Sequence, residues 1–111
     1  MITTAVQEVA RDAQRLLRMY GWTKGRWRAK EGQICLDSAL EWAVTRYPAR
    51  RYEPDLLKAV RCEVAQVIME QFPERRHWLW RWTWMPAAYF NDCRATTFAD
   101  VQLVLEKVAC D

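Results

Sequence analysis

Apolar residues recur at helical spacing over most of the chain. Ile2, Val6, Val9, Ala10, Ala13, Leu16, Leu17 and Tyr20 share one face of a first stretch, so the pattern predicts a helix over about residues 4 to 20. Thr4 followed by Gln7 reads as a capping box, and Gly21 falls where a left-handed helix cap is wanted. Glu8, Arg11, Arg15 and Arg18 form the opposite, solvated face. A second stripe, Cys35, Ala39 and Ala43 beside Leu36, Leu40, Val44 and Tyr47, predicts a helix over about 34 to 47 that ends at Pro48. Small residues along that stripe suit close helix contact.

Pro54 fits the first turn of a third helix over about 54 to 72, and Asp55 complements its dipole. Leu56, Leu57, Val60, Val64, Val67 and Ile68 fill one broad face, and Ala59, Cys62, Ala65 and Met69 add a weaker second one. A helix apolar on two sides is usually central, so this one is expected to be the most buried. Pro86 opens a short helix that ends at Asn91-Asp92. Thr97 and Asp100 form a further capping box, ahead of a last helix with Phe98, Val101, Val104, Leu105 and Val108 on its core face. Leu103 points away from that face and either covers a neighbour or joins a contact surface. The expectation is an all-α fold, a single small domain spanning residues 1–111 with about four main helices.

Two stretches break the helical pattern. Residues 21 to 34 hold internal glycines and no 3.6-residue repeat, which predicts a short extended arm or a small hairpin turning near Gly32. In an extended arm Lys24, Arg26, Arg28 and Lys30 project to one side and Gly25, Trp27 and Ala29 to the other. The other stretch is His77 to Pro86, with Trp78, Trp80, Trp82 and Trp84 at alternate positions. Extended, these indoles make one wall; helical, they pair as Trp78 with Trp82 and Trp80 with Trp84 on separate faces.

Length and composition then bound the options. At 111 residues, 51% of them hydrophobic and with little glycine or proline, the chain suits one packed domain. The net charge is only +3, but thirteen arginines stand against four lysines. Guanidinium groups stack on rings and grip carboxylates or phosphates bidentately, which suits protein or nucleic-acid contacts alike. Charges interrupt the first twenty residues, and no run approaches the ~18 apolar residues of a spanning helix, so a cytoplasmic protein is expected. Cys35, Cys62, Cys93 and Cys110 are widely spaced with no CxxC pair. That argues against a metal site and for free, mostly packed thiols.

The order of a helix, Gly21-Trp22 with a polar turn, Cys35-xxx-Ala39-xxx-Ala43, a long helix, and Phe90-Asn91-Asp92 before Thr97-xx-Asp100-Val101 resembles an uncharacterised family. That family, found in actinobacteria and their phages, is classed only as a domain of unknown function. The resemblance covers most of the chain and implies an all-helical fold with a phage or mobile-element origin. It implies no activity.

Candidate chemistry is sparse. Asn91 and Asp92 could position a water or a metal, but such residues between helices more often satisfy backbone groups at caps and turns. His77 is the only histidine, and spacing assigns it no nucleophile or orienting carboxylate. No zinc-protease, phosphate-loop, hydrolase or dinucleotide motif is present. The expectation is therefore a non-enzyme with no cofactor and no metal. The basic arm, Lys24, Arg26, Trp27, Arg28 and Lys30, reads either as a strand that follows a phosphate backbone or as a solubilising turn whose tryptophans plug the core.

Each indole of the other stretch can bury roughly 150 to 250 Å². A domain this small does not easily hide all four. Arg76, Trp78, Trp80, Arg81, Trp82 and Trp84 carry the hot-spot chemistry of protein interfaces, and they are the first candidates for contact with a host protein or a second copy of the chain. Packing inward is the alternative. A membrane interface is the weakest reading, because interfacial anchors are usually clean amphipathic helices.

Overall fold

The computed structural model describes residues 3–25, 31–45, 53–75 and 86–110. Among these the fold is all-α: α1 (Thr4–Tyr20), α2 (Leu36–Thr45), α3 (Pro54–Gln71), a 3-10 turn (Pro73–Arg75), α4 (Pro86–Asp92) and α5 (Phe98–Ala109). All five helices contribute to one hydrophobic core, and α1 packs chiefly on α2 and α5. The apolar face predicted for α1 is the buried one, through Val6, Val9, Ala10, Ala13, Leu16 and Leu17.

The α1 cap differs from the expected capping box. Thr3 is the capping residue, and its hydroxyl accepts from the Val6 amide at 3.3 Å. Two adjacent threonines offer the same chemistry, and the helix takes the first. At the other end the Gly21 amide donates to the Leu17 carbonyl, but Gly21 has φ 89° and ψ 160°. That is the extended positive-φ region, which only glycine occupies readily, and not the left-handed helical cap predicted. The chain is turned into a strand-like segment instead of a further helical turn.

That segment corrects the hairpin expectation. Trp22 and Ile34 form an isolated parallel bridge, in which Ile34 N donates to Gly21 O at 2.9 Å and Thr23 N donates to Ile34 O at 3.0 Å. A hairpin pairs its strands antiparallel, so the Trp22–Ile34 pairing is not that of a hairpin. Gly32, with φ 94°, stands in the turn before the bridge.

Helix α2 is shorter than predicted at its start, beginning at Leu36, and is the most buried element in place of α3. Leu36, Asp37, Ser38, Ala39, Leu40, Ala43 and Val44 are all buried. The alanine stripe lets α2 lie close to its neighbours, and Asp37 is tolerated inside because Arg61 of α3 meets it bidentately, Nε to Oδ1 and Nη2 to Oδ2, both at 2.8 Å. The second face of α3 is largely wet: Ala59, Cys62 and Met69 are exposed and Ala65 is half-buried. Small side chains return little hydrophobic free energy, so that face had little to drive it inward.

Helix α5 starts with the capping box expected of Thr97 and Asp100, with both reciprocal bonds formed. Its last turn is met by Arg11 of α1, whose guanidinium donates to the Ala109 carbonyl at 3.0 Å. Arg11 thus does more than solvate α1. Leu103 is 40% exposed.

Candidate functional site

Among the described residues a dense side-chain network lies at the C-terminal end of α4, and Asn91 is at its centre. Phe90 is fully buried against Phe72, with ring centroids 5.2 Å apart, and this places Asn91 under the 21–25 segment with no solvent exposure. Asn91 Oδ1 accepts from the Trp22 indole N–H at 2.6 Å and from the Leu36 amide at 3.0 Å. Its Nδ2 donates to the Thr23 carbonyl at 3.0 Å and to Asp92 Oδ1 at 3.1 Å. One amide therefore caps the N-terminus of α2, fixes an indole and closes a turn. All its hydrogen-bonding capacity is used.

The neighbouring residues extend the same contact. Asp92 Oδ1 accepts from the Gly25 amide at 2.7 Å. Lys24 Nζ donates to the carbonyls of Cys93 at 2.8 Å and Arg94 at 3.2 Å, and lies 5.4 Å from the centroid of the Trp22 ring. A cation here also complements the negative end of the preceding helix. Trp22 itself is half-buried and stacks on Phe98 at 6.0 Å with an interplanar angle of 15°. The Gly-Trp and aromatic-Asn-Asp motifs, far apart in the chain, are thus the two halves of one contact. Its chemistry is that of a structural clasp, which agrees with the cap-and-turn reading of Asn91 and Asp92.

A second clasp lies just before the tryptophan stretch. Arg75 Nη1 donates to Asp100 Oδ2 at 2.7 Å, and its guanidinium lies 4.5 Å from the Phe72 ring and 5.8 Å from the Phe90 ring. Burial pushes the Asp100 carboxyl up. The hydrogen bond and charge of Arg75, with the Thr97 amide and hydroxyl, outweigh that and hold it below the usual carboxylate range.

Of the predicted site residues, Lys24 is described, and its ammonium faces the α4 end. Arg26, Trp27, Arg28 and Lys30 lie outside the described residues, as do Arg76, Trp78, Trp80, Arg81, Trp82 and Trp84, and with them His77. The four cysteines are free thiols; Cys35 is buried, Cys93 half-buried, and Cys62 and Cys110 exposed, so fewer are packed than expected. Burial pushes the Cys35 thiol up, away from nucleophilic use. Among the described residues no group of cysteine, histidine and carboxylate side chains could hold a metal ion, and no helix is long and apolar enough to cross a membrane.

Sequence reasoning missed the pairing of Trp22 with Asn91 and the inward role of Lys24. The available signal was an amide directly after Phe90, the buried aromatic of α4, at a position where a solvated helix end would not need one.

A family model described as a family of unknown function, DUF6197, matches residues 1–111. No curated protein and no solved structure matches the chain.

Proposed function

We propose that this chain, which belongs to DUF6197, a family of unknown function, is a small non-catalytic binding protein that contacts a protein partner through Arg76, Trp78, Trp80, Arg81, Trp82 and Trp84. The partner is a host protein or a second copy of the chain, and a phage-borne protein acting in the host cytoplasm fits that role.

One observation carries the reading. Of the four exposed large apolar side chains among the described residues, Met69 (44%) and Tyr89 (40%) stand on α3 and α4, the helices that lead into and out of the tryptophan stretch. Those flanks are held by the Arg75 and Asn91 clasps. Exposed apolar side chains on the two helices that flank a Trp/Arg-rich stretch in the chain suit the composition of an interface core. Exposed flanking groups would add contact area at little ordering cost.

The second reading is a nucleic-acid binder using the arm 24–30. Lys24 counts against it, since its ammonium is engaged by two carbonyls and only Arg26, Arg28 and Lys30 remain to meet phosphates. The test is capture of proteins on the immobilised chain, compared with capture on Trp80→Ala/Trp82→Ala, alongside a salt titration against single- and double-stranded oligonucleotides. Partner retention by the wild type alone, with flat oligonucleotide binding at low salt, supports the first reading. A steep salt dependence without tryptophan-dependent capture supports the second.

A further inference from the structure

Helix α4 has seven residues, and a helix of that length does not hold itself together in water. The 21–25 turn is no more self-sufficient, because its backbone is held to Ile34 by two hydrogen bonds and to α1 by the Gly21 amide. Each supports the other. Trp22 Nε1 and Thr23 O are tied to Asn91, Gly25 N to Asp92, and Lys24 Nζ to the carbonyls that follow α4. The same Asn91 oxygen that accepts from Trp22 also accepts from the first amide of α2. A rotation of Asn91 that releases the turn therefore strips a buried amide of its acceptor at the same moment.

We propose that the 21–25 turn and α4 form one cooperative unit, latched by Asn91, that opens as a whole at a lower free energy than global unfolding. Cooperative units of this kind are drawn from the less stable end of a structure, where backbone bonding is sparse and side chains supply the cohesion. The inference goes beyond the binding reading and stands whether or not that reading does. In chain order, one end of the unit is Gly25, before residues 26–30, and the other is Pro86, after residues 76–85.

Native-state hydrogen exchange on the full chain, followed by NMR at increasing sub-denaturing urea, tests this directly. The amides of Thr23, Gly25 and Leu36 and those of Phe90 and Asn91 should share one opening free energy and one urea dependence, below those of Val104 and Leu105 in α5. Lys24→Met, which leaves Asn91 intact, should accelerate that whole set by a common factor of about three to ten and leave Val104 and Leu105 unchanged. Distinct urea dependences for the turn and for α4, or acceleration of the turn amides without those of Phe90 and Asn91, would overturn the proposal. Asn91→Ala should accelerate the same set by more than Lys24→Met; an Asn91→Ala protein that exchanges like wild type would also overturn it.

Discussion

Replacing Asn91 by alanine removes every bond that the clasp makes through one side chain. Trp22 Nε1, Leu36 N and Thr23 O each lose a partner at 3.0 Å or less. A buried polar group left unpaired costs about 1–3 kcal/mol. Leu36 is fully buried and bears the full cost, whereas Trp22 and Thr23 are half-buried and recover part of it from water. The sum is about 3–5 kcal/mol. A domain of this size holds on the order of 5–15 kcal/mol in total, so the loss is a large share of its stability. With a urea slope of about 1.5 kcal/mol/M, the unfolding midpoint should fall by about 2–3 M. Asp92→Asn serves as the control. Its carboxylate is exposed and an amide oxygen can still accept from Gly25, so it should cost under about 1 kcal/mol. Urea unfolding followed by circular dichroism reads both variants. An Asn91→Ala midpoint within about 0.5 M of wild type would mean that water replaces the amide at no cost and that the clasp does not hold the fold.

Other expectations follow from the same contacts. Gly21→Ala should lower the melting temperature by about 5 °C or more, because the residue sits at φ 89° and an added Cβ would come within 2.9 Å of Gln33 Cγ. Gly21→Asn should be no better, since asparagine favours the left-handed helical region and not ψ 160°; rescue by Asn would contradict the geometry. Asp100 sets an acid limb. A carboxyl whose value is lowered by folding contributes stability that is present above its unfolded value, about 3.9, and lost as the pH falls through the lower folded one. Stability should therefore drop on acidification below about pH 4, and Asp100→Asn should flatten that limb in urea midpoints taken across pH; an unchanged limb would count against the Arg75 clasp. Iodoacetamide should modify Cys62 first and Cys35 last, with Cys110 between them, because the hydrogen bond to the Glu106 carboxylate pushes the Cys110 thiol up while Cys35 is both buried and pushed up. Mass mapping over time reads the order, and Cys35 reacting as fast as Cys62 would contradict it.

The helices were legible wherever an apolar period ran between clear breakers. Pro54 and the Thr97–Asp100 box set the starts of α3 and α5, and the Val6 to Leu17 stripe set the buried face of α1. Local signals were weaker where two choices are chemically alike. Thr3 and Thr4 present the same hydroxyl, and a glycine after a helix does not declare its ψ. Relative burial of α2 and α3 depended on how closely small residues let helices approach, which counting apolar positions does not measure. The clasp was the least legible part. Asn91 and Trp22 are 69 positions apart, and a hydrogen bond across that distance leaves no periodic trace in either segment. Lys24 looked like one of four alternating cations because alternation assumes that each faces solvent, whereas its ammonium is held by the Cys93 and Arg94 carbonyls. The two motifs that mark the family resemblance were visible, but that they meet was not.

The most direct test of the binding function is the double substitution Trp80→Ala/Trp82→Ala, assayed for capture of the wild-type partner with its melting curve alongside. An indole packed in a core costs about 3–5 kcal/mol when truncated to alanine, so two would consume most of the stability of the domain. Surface substitutions away from such packing stay within about 0.5 kcal/mol each, and then the melting temperature should hold within about 5 °C. The expected variant melts like wild type and retains at most about a tenth of the partner, as when a hot-spot residue worth about 2 kcal/mol or more is lost. Equal capture by both proteins, or a variant that no longer folds, would contradict it.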